Sequence, residues 1–146
     1  MIVLYHDEDF EDCVTIYLDA FTAPPLCYHF ITKENAKRYI KDLTLAPSFL
    51  GYVYKIDTVP MAFIFGKLDN YFPGSMFEVY ELAVASAFHR SGIGTHFLEL
   101  FEAKLAGYGV EAISLHTSRS LPAYNFYSKN GYEEMSESVT LTKWLK

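Results

Sequence analysis

Cysteine is scarce in this sequence and positive charge is in deficit, and each shortage excludes a class of protein. Cys13 and Cys27 are the only cysteines, and they have no CxxC spacing. They support neither a disulfide framework nor a zinc site, so both thiols are expected to be reduced and no metal is expected. The chain carries 12 basic and 18 acidic residues, for a formal charge of −6. This balance disfavours nonspecific nucleic-acid binding, so no nucleic-acid partner is expected.

Long apolar runs are missing as well. The longest, such as residues 61–65, fall far short of the ~20 residues that cross a bilayer, so no membrane partner is expected. The start meets Asp7 without a basic segment and a following apolar stretch, so no signal peptide is expected and the cytoplasm is the expected location. Hydrophobic residues make up 51% of the 146 residues. The sequence therefore predicts one folded domain over residues 1–146.

The first part of the chain has the apolar spacing of two amphipathic helices. Asp7 is a candidate N-cap for the first, which stops before Pro24 and Pro25. Its apolar face comprises Phe10, Cys13, Val14, Tyr17, Leu18 and Phe21. Thr32 is a candidate N-cap for the second. Its apolar stripe comprises Ala36, Tyr39, Ile40 and Leu43. Residues 22–31 are predicted to form the loop between the two helices.

From Phe49 onward the pattern is typical of strands. Residues 49–56 and 60–67 are rich in β-branched and aromatic residues and predict an antiparallel hairpin. Residues 69–75 predict a turn-rich connection because they contain asparagine, proline and glycine. Residues 76–85 predict a third strand, which leads into a glycine-containing turn.

The second half of the chain alternates helix and strand. A helix is predicted after Gly92 and Gly94, followed by a short strand at residues 112–117. This order predicts a βαβ unit with parallel strands. Residues 120–130 predict a further helix and residues 132–145 a final pair of short strands. The predicted fold is α/β, with a mixed, mostly antiparallel central sheet, a parallel βαβ unit and helices on both faces.

The turn after the third predicted strand is the strongest candidate for a ligand site. Its residues are His89, Arg90, Ser91, Gly92, Ile93, Gly94 and Thr95. Free N–H groups at a helix start can hold a phosphate, and glycines let the backbone approach it. A dinucleotide fingerprint would need a glycine at Phe97, and a P-loop would need Gly-Lys-Ser or Gly-Lys-Thr. An acyl-CoA type of pyrophosphate turn remains, and the alternative is a tight turn without a ligand.

Two motifs in this region resemble those of the GNAT superfamily of N-acetyltransferases. The segment Leu82-Ala83-Val84, followed by Gly92-Ile93-Gly94, is similar to the central motif of the family. That motif is Gln or Arg, two variable residues, Gly, one variable residue, then Gly or Ala. His89 stands at the Gln or Arg position, which weakens one contact rather than the backbone cradle.

The second motif lies further along the chain. The family pattern Ala-x-x-Phe-Tyr-x-x-x-Gly-Phe is matched by Ala123, Phe126, Tyr127, Gly131 and Tyr132. Ser120 replaces the Asn that precedes the family's Ala, and it is more simply explained as an N-cap. The chain also looks similar to poorly characterised bacterial members near the aminoglycoside acetyltransferases.

The resemblance implies an enzyme that moves an acetyl group from acetyl-CoA directly to a primary amine. The acceptor stays open among small amines, aminoglycosides, polyamines, amino acids and protein N-termini, and a homodimer is a possible assembly. A non-catalytic acyl-CoA-binding regulatory module is the alternative. The implied acetyl-CoA contacts are Leu82, Ala83, Val84, His89, Arg90, Ser91, Gly92, Ile93, Gly94, Thr95, Ser120, Ala123 and Tyr127.

Three residues are candidates for proton transfer. By resemblance Tyr127 is the general acid for the departing thiolate, although aromatic residues at helical spacing are usually core. Glu81 is preferred as the base and Glu78 is the second choice. Because they lie three residues apart on one strand, they are expected to point to opposite faces of the sheet. His116 is expected to be a half-buried structural histidine.

Overall fold

The structure, a computed structural model, describes residues 1–71 and 74–146. These residues form two compact units, Met1–Leu115 and His116–Lys146. The single domain expected over residues 1–146 stays a prediction. In the described part of the chain no helix has the length and apolar character needed to cross a membrane.

The first unit is built on a five-stranded mixed sheet with the strand order β1-β2-β3-β4-β5. The strands are β1 (Ile2–Leu4), β2 (Phe49–Ile56), β3 (Val59–Tyr71), β4 (Gly74–Val84) and β5 (Ala112–Leu115). The first four run antiparallel to their neighbours, and β5 pairs with β4 in parallel. The predicted mixed sheet with one βαβ unit is confirmed. Strand β1 is an addition to the predicted strands, because its three residues are too few to show an alternating pattern.

The hairpin between β3 and β4 is longer than predicted. The ladder continues to the pairs Asp69 with Met76 and Tyr71 with Gly74. The prediction of a turn-rich connection over residues 69–75 is therefore wrong for both ends of that segment, and Phe72 and Pro73 lie outside the described residues. Polar and glycine residues lower strand propensity, but backbone pairing with a neighbouring strand overrides this weak preference.

Two helices cover one face of the sheet, and these are α1 (Phe10–Thr22) and α2 (Lys33–Thr44). Thr32 caps α2 as predicted, since its Oγ1 accepts the N–H of Asn35 at 3.0 Å. Asp7 instead begins a 3₁₀ turn, so α1 starts after Asp9. The buried core on this face comprises Cys13, Val14, Ile16, Ala20, Ala36, Ile40, Val53, Phe63, Phe65 and Ala83.

Helix α3 (Ile93–Gly107) lies on the opposite face. The ring of Phe101 contacts Tyr52 and Phe77 at centroid distances of 5.8 and 5.0 Å. Phe97 lies 5.7 Å from Tyr54. Because successive strand residues point to opposite faces, these contacts confirm the predicted helices on both faces.

The second unit contains helix α4 (Pro122–Lys129). Leu121 rather than Ser120 is its N-cap, so the interpretation of Ser120 as a cap is wrong. Proline fixes its own φ angle and holds the preceding residue extended, which starts the helix at Pro122.

The predicted pair of strands over residues 132–145 is also wrong, because the structure assigns no strand to them. Val139 and Leu141 alternate with polar residues as in a strand, yet both are exposed. An alternating pattern becomes a strand only where a partner strand completes the hydrogen-bond ladder.

Candidate active site

An extra residue interrupts the pairing of β3 with β4 near the middle of both strands. Phe65 pairs with Glu81, but the next residue, Gly66, pairs with Val79. Tyr80 is therefore the additional residue of a β-bulge in β4. A bulge of this kind shifts the alternation of side chains by one position.

The bulge overturns the expectation that Glu78 and Glu81 point to opposite faces. Glu81 lies opposite Phe65, and Glu78 lies opposite Lys67. Directly paired residues share a face, and Phe65 and Lys67 are two positions apart on the same strand. Both glutamates therefore point toward the face covered by α1 and α2. The prediction is wrong because it assumes an unbroken strand from residue 78 to residue 81.

Gly66 is required where the two strands approach each other at the bulge. A Cβ atom at this position would lie 2.0 Å from the carbonyl oxygen of Glu78 and 2.6 Å from the ring of Phe77. No side chain fits within that space. The absence of a side chain at Gly66 therefore allows the bulge to form.

Glu81 lies beneath α1 and α2 in a mainly aromatic environment. The hydroxyl of Tyr39 donates to Glu81 Oε1 at 2.9 Å. Burial raises the pKa of Glu81 from its ordinary 4.5 to about 7, and hydrogen bonds from Tyr39 and from the amide of Leu82 oppose the increase. Burial and the charge of Glu81 in turn raise the pKa of Tyr17 to about 12. Glu81 can therefore gain and lose a proton near neutral pH.

Glu78 has a different environment on the same face. Its Oε2 lies 4.0 Å from Nζ of Lys67, which also lies 3.4 Å from Oδ1 of Asp69. The charge of Asp69 is the main cause of the raised pKa of Lys67, and Glu78 adds to it. Glu78 is thus held by an ion pair with Lys67, whereas the carboxyl group of Glu81 is buried beside Tyr39, so the geometry favours Glu81 over Glu78.

Beyond the bulge, one edge of β4, called the open edge below, has no paired strand among the described residues. Strand β5 pairs only with residues 76–79 of β4, whereas β4 continues to Val84. The N–H of Ala85 donates to Met61 of β3 at 2.9 Å, so the backbone groups of Val84 and Leu82 point to the opposite edge. On that edge the carbonyl of Val84 meets His89, whose Nε2 lies 2.7 Å from it. An extended ligand can pair with the rest of this edge.

The turn after β4 presents unsatisfied backbone donors, as expected for an anion site. Gly92 has a φ of 87° and directly precedes α3. Within the described residues, the N–H groups of Gly92, Gly94 and Thr95 have no hydrogen-bond acceptor. The next N–H, that of His96, begins the helical pattern by donating to Gly92. Open amides at the positive end of a 15-residue helix suit a phosphate group.

The side chains of the same turn have separate roles. Arg90 is exposed and has a φ of 63°. Ser91 Oγ donates to the carbonyl of Phe88 and lies 3.4 Å from the N–H of Ile93. His89 contacts the carbonyl of Val84, so its imidazole is directed at β4 rather than at the open amides.

Asp19 of α1 fixes Ser86, which lies between β4 and the turn. No sequence pattern indicates this role. The two carboxylate oxygens of Asp19 accept the N–H of Ser86 at 2.6 Å and the Ser86 hydroxyl at 2.7 Å. Asp19 lies among apolar helix residues in the sequence, and its partner is 67 residues away. Only the folded chain brings the two together.

The remaining predicted site residues belong to the second unit and are described within it. Ser120 is exposed and Ala123 is half-buried. Tyr127 is 7% exposed on α4, and its ring lies 5.1 Å from Phe126 and 5.2 Å from Tyr132. Glu78 and Glu81 thus lie on β4 of the first unit, and the glycine turn, residues 89–95, follows that strand. The role of Tyr127 stays a prediction.

Two other sequence expectations concern His116 and the cysteines. His116 lies directly after the end of β5 and is exposed, so the prediction that it is half-buried is wrong. Strand β5 ends at Leu115 and is the last strand of the sheet, so no neighbouring strand covers the residue after it. Both cysteines are free thiols. No cluster of three candidate metal ligands occurs in residues 1–71 and 74–146.

Solved structures share this architecture along their whole length. An aminoglycoside 6'-N-acetyltransferase from Acinetobacter haemolyticus is 11% identical with a TM-score of 0.71, and the match covers 100% of this chain and 99% of that chain. A ribosomal-protein-alanine N-acetyltransferase from Brucella melitensis is 12% identical with a TM-score of 0.75, covering 99% of each chain. At these identities the likeness shows the fold alone.

A third solved structure contains a ligand. AAC(6')-Iy, in complex with the bisubstrate analogue CoA-S-monomethyl-acetylneamine, is 11% identical with a TM-score of 0.70, and the match covers 99% of this chain and 97% of that chain. No curated protein matches the sequence.

The family comparison is decisive because it covers most of the chain. Residues 10–132 match the model of the Acetyltransferase (GNAT) family. The match includes β4, the glycine turn and the later Ala-x-x-Phe-Tyr motif, and it confirms the resemblance seen in the sequence. Enzymes of this family are N-acetyltransferases that use acetyl-CoA. This protein therefore belongs to the Acetyltransferase (GNAT) family.

Proposed function

We propose that this protein transfers an acetyl group from acetyl-CoA directly to a primary amine, with Glu81 as the base. The observation that carries the proposal is the Glu81 carboxyl group, which burial brings to a pKa of about 7 while Tyr39 holds it at 2.9 Å. A base works best when its pKa is near the operating pH.

The first unit fits an extended, phosphate-bearing donor. The carbonyl of Leu82 and the N–H of Val84 on the open edge of β4 can pair with the amide-containing pantetheine arm as an added strand would. The free amides of Gly92, Gly94 and Thr95 can hold the pyrophosphate. His89, Arg90 and Ser91 flank these amides, and Arg90 is free to pair with a phosphate oxygen.

The residues then act on the acceptor in order. A primary ammonium group loses a proton to the Glu81 carboxylate, directly or through a water, because only the neutral amine is a nucleophile. The amine nitrogen bonds to the acetyl carbon as the carbon–sulfur bond breaks. The N–H of Val84 faces the open edge and can stabilise the charge that develops on the carbonyl oxygen.

The departing thiolate needs a proton, and we assign it to Tyr127 from the family motif. The acetylated nitrogen loses its second proton to solvent, which also takes the proton from Glu81 and restores the one that Tyr127 gave. A primary ammonium ion and acetyl-CoA thus give the acetylated amine, CoA thiol and one proton. A covalent route through a cysteine is disfavoured, because neither Cys13 nor Cys27 stands at a position of the two motifs. Burial also raises the pKa of the Cys13 thiol, and a thiol must ionise to attack. The homodimer and the cytoplasmic location stay predictions.

Release of CoA thiol in the presence of amines tests this function. Calorimetry first establishes acetyl-CoA binding, and a panel of a small amine, an aminoglycoside, a polyamine, an amino acid and a peptide N-terminus is then tested for thiol release. Release with at least one amine, reduced in Glu81→Gln, is expected. Tight binding of acetyl-CoA without release from any acceptor would instead indicate a regulatory acyl-CoA-binding module.

A further inference from the structure

Five rings of the first unit form a continuous series, which we call the aromatic row. Its members are Tyr39, Tyr17, Phe21, Tyr28 and Phe30. Successive ring centroids are 5.3, 4.7, 6.3 and 5.4 Å apart. Each distance lies within the range of direct aromatic contact.

The aromatic row runs from the carboxyl group of Glu81 to the protein surface. At its inner end Tyr39 donates to Glu81. Tyr17 and Phe21 are half-buried and pack against the core on one side. At its outer end Tyr28 is half-buried and Phe30 is 76% exposed. A core cluster would be buried throughout, whereas every residue of this row is only half-buried or exposed.

The charge around the row fits a single positive group. No acidic residue occurs between Asp19 and Glu34, which includes the whole loop that carries Tyr28 and Phe30. Glu81 contributes a carboxylate at the inner end, and its charge raises the pKa of both Tyr39 and Tyr17, for which burial is the first cause. An acceptor with several ammonium groups would need several carboxylates, and the loop supplies none. The other carboxylates described on this side have partners within the protein, since Lys67 pairs with Asp69 and Glu78 and Ser86 donates to Asp19.

We propose that the acceptor is a monoamine with an aromatic or comparably flat apolar substituent, which lies along the aromatic row while its ammonium group meets Glu81. The inference rests on the proposed function and adds the acceptor class to it. Ring faces attract both an ammonium group and another ring, and the carboxylate supplies the opposite charge. This class differs from the polycationic aminoglycosides named for some of the structural neighbours.

A matched set of amines tests the acceptor class. 2-Phenylethylamine and n-propylamine have the same ammonium group, and only the first has a ring, whereas kanamycin has several ammonium groups and no aromatic ring. With saturating acetyl-CoA, kcat/KM for phenylethylamine should exceed that for propylamine by roughly 10- to 100-fold, the usual effect of burying one ring. Kanamycin should be the poorest of the three.

Variants of the row identify where the ring binds. Tyr28→Ala should lower the phenylethylamine-to-propylamine ratio by roughly three- to tenfold through KM. Phe21→Leu keeps an apolar side chain at the core and should lower the same ratio in a folded protein. Tyr108→Leu is the control, since Tyr108 is exposed at the end of α3, and it should leave the ratio unchanged. A merely structural role of the row would not change a ratio between two substrates.

Calorimetry of each amine with the CoA-bound protein separates the two hypotheses. If no amine releases thiol but phenylethylamine binds more tightly than propylamine and Tyr28→Ala abolishes the difference, the proposed function fails and the acceptor class stands. If thiol is released with kanamycin or propylamine as readily as with phenylethylamine, the function stands and the acceptor class is overturned. Absence of both thiol release and selective binding overturns both.

Discussion

Asp19 and Ser86 connect α1 to the segment that precedes the glycine turn, through two short hydrogen bonds to one carboxylate. The N–H and the hydroxyl of Ser86 donate to Oδ2 and Oδ1 of Asp19 at 2.6 and 2.7 Å. Hydrogen bonds to a charged acceptor are stronger than neutral ones. Helix α1, which carries Tyr17, is thus fixed to the segment that leads into the glycine turn, the proposed pyrophosphate site.

Asp19→Ala should weaken both the fold and the binding of acetyl-CoA. Loss of the carboxylate leaves two half-buried donors of Ser86 without a partner, which should cost about 2 kcal/mol of unfolding free energy. Urea denaturation and calorimetry with acetyl-CoA measure the two effects. Ser86→Ala is the matched control, because it removes only the hydroxyl donor and should cost about half as much. Equal stability of Asp19→Ala and the parent would contradict this role.

Glu81→Gln should change the pH dependence of turnover. In the parent, kcat/KM should rise as the pH passes about 7, because the carboxylate is the base and its pKa is about 7. The variant should lack this rise and should be roughly 10²- to 10⁴-fold slower at pH 7. It should recover partly toward about pH 10, where more of the acceptor is already neutral. Parallel profiles for the two proteins would remove Glu81 as the base and leave Glu78 as the next candidate.

The same substitution should stabilise the fold at alkaline pH. The pKa of Glu81 is raised in the folded protein, so the folded state binds more protons than the unfolded state between about pH 4.5 and 7. Stability attributable to this group is therefore present at low pH and is lost as the pH rises through about 7. Glu81→Gln removes the buried charge and should gain on the order of 3 kcal/mol at pH 8 relative to pH 4.

Thermal unfolding of the parent and Glu81→Gln across this pH range checks the prediction. Tyr39→Phe is the informative control, because it removes the hydroxyl that donates to Oε1 and should raise the pKa of Glu81 further. A pH-independent difference in melting temperature between parent and Glu81→Gln would show that the folded and unfolded carboxyl groups titrate alike.

Gly94→Val should weaken acetyl-CoA binding more than it lowers stability. Gly94 lies within α3, so a side chain there is compatible with the backbone, but it would crowd the open amides at the helix start. We expect at least a tenfold loss of affinity by calorimetry, equivalent to about 1.4 kcal/mol. Gly92→Val adds strain because of the φ of 87°, so it should lose affinity and stability together. Unchanged affinity in a folded Gly94→Val protein would remove this site.

Tyr127→Phe separates catalysis from packing in the second unit. The substitution keeps the ring contacts with Phe126 and Tyr132 and deletes the hydroxyl. If Tyr127 is the acid, turnover at saturating acetyl-CoA should fall by roughly 10²- to 10⁴-fold with little change in acetyl-CoA affinity. A fall of less than tenfold, with about 1 kcal/mol of lost stability, would show that the hydroxyl is only structural.

Local signals are sufficient to predict the parts of the molecule that depend on neighbouring residues. Thr32 is recognisable as an N-cap because its partner, Asn35, is three residues away. The glycine turn is recognisable because Gly92 and Gly94 lie where the pattern changes from strand to helix. Both features arise from short-range backbone geometry, which the sequence displays along its length.

Features that depend on contacts between distant residues are not visible in local sequence patterns. Tyr39 has the spacing of a core residue, and its bond to Glu81 joins positions 42 residues apart. The strands expected over residues 132–145 are wrong for a related reason, because a strand depends on a partner as well as on its own pattern. The environment of Glu81, and hence its raised pKa, results from packing that no local pattern encodes.

The β-bulge at Tyr80 divides β4 into two segments with opposite side-chain phase. Deleting Tyr80 would restore a regular strand in which Glu78 and Glu81 are two positions apart and still point to the face of α1 and α2. Inserting one residue elsewhere between positions 78 and 81, with the bulge retained, would instead place the two glutamates on opposite faces. The extra residue therefore decides which side chains of β4 share a face with Glu81, so in any related sequence that face has to be counted from the bulge and not from the start of the strand.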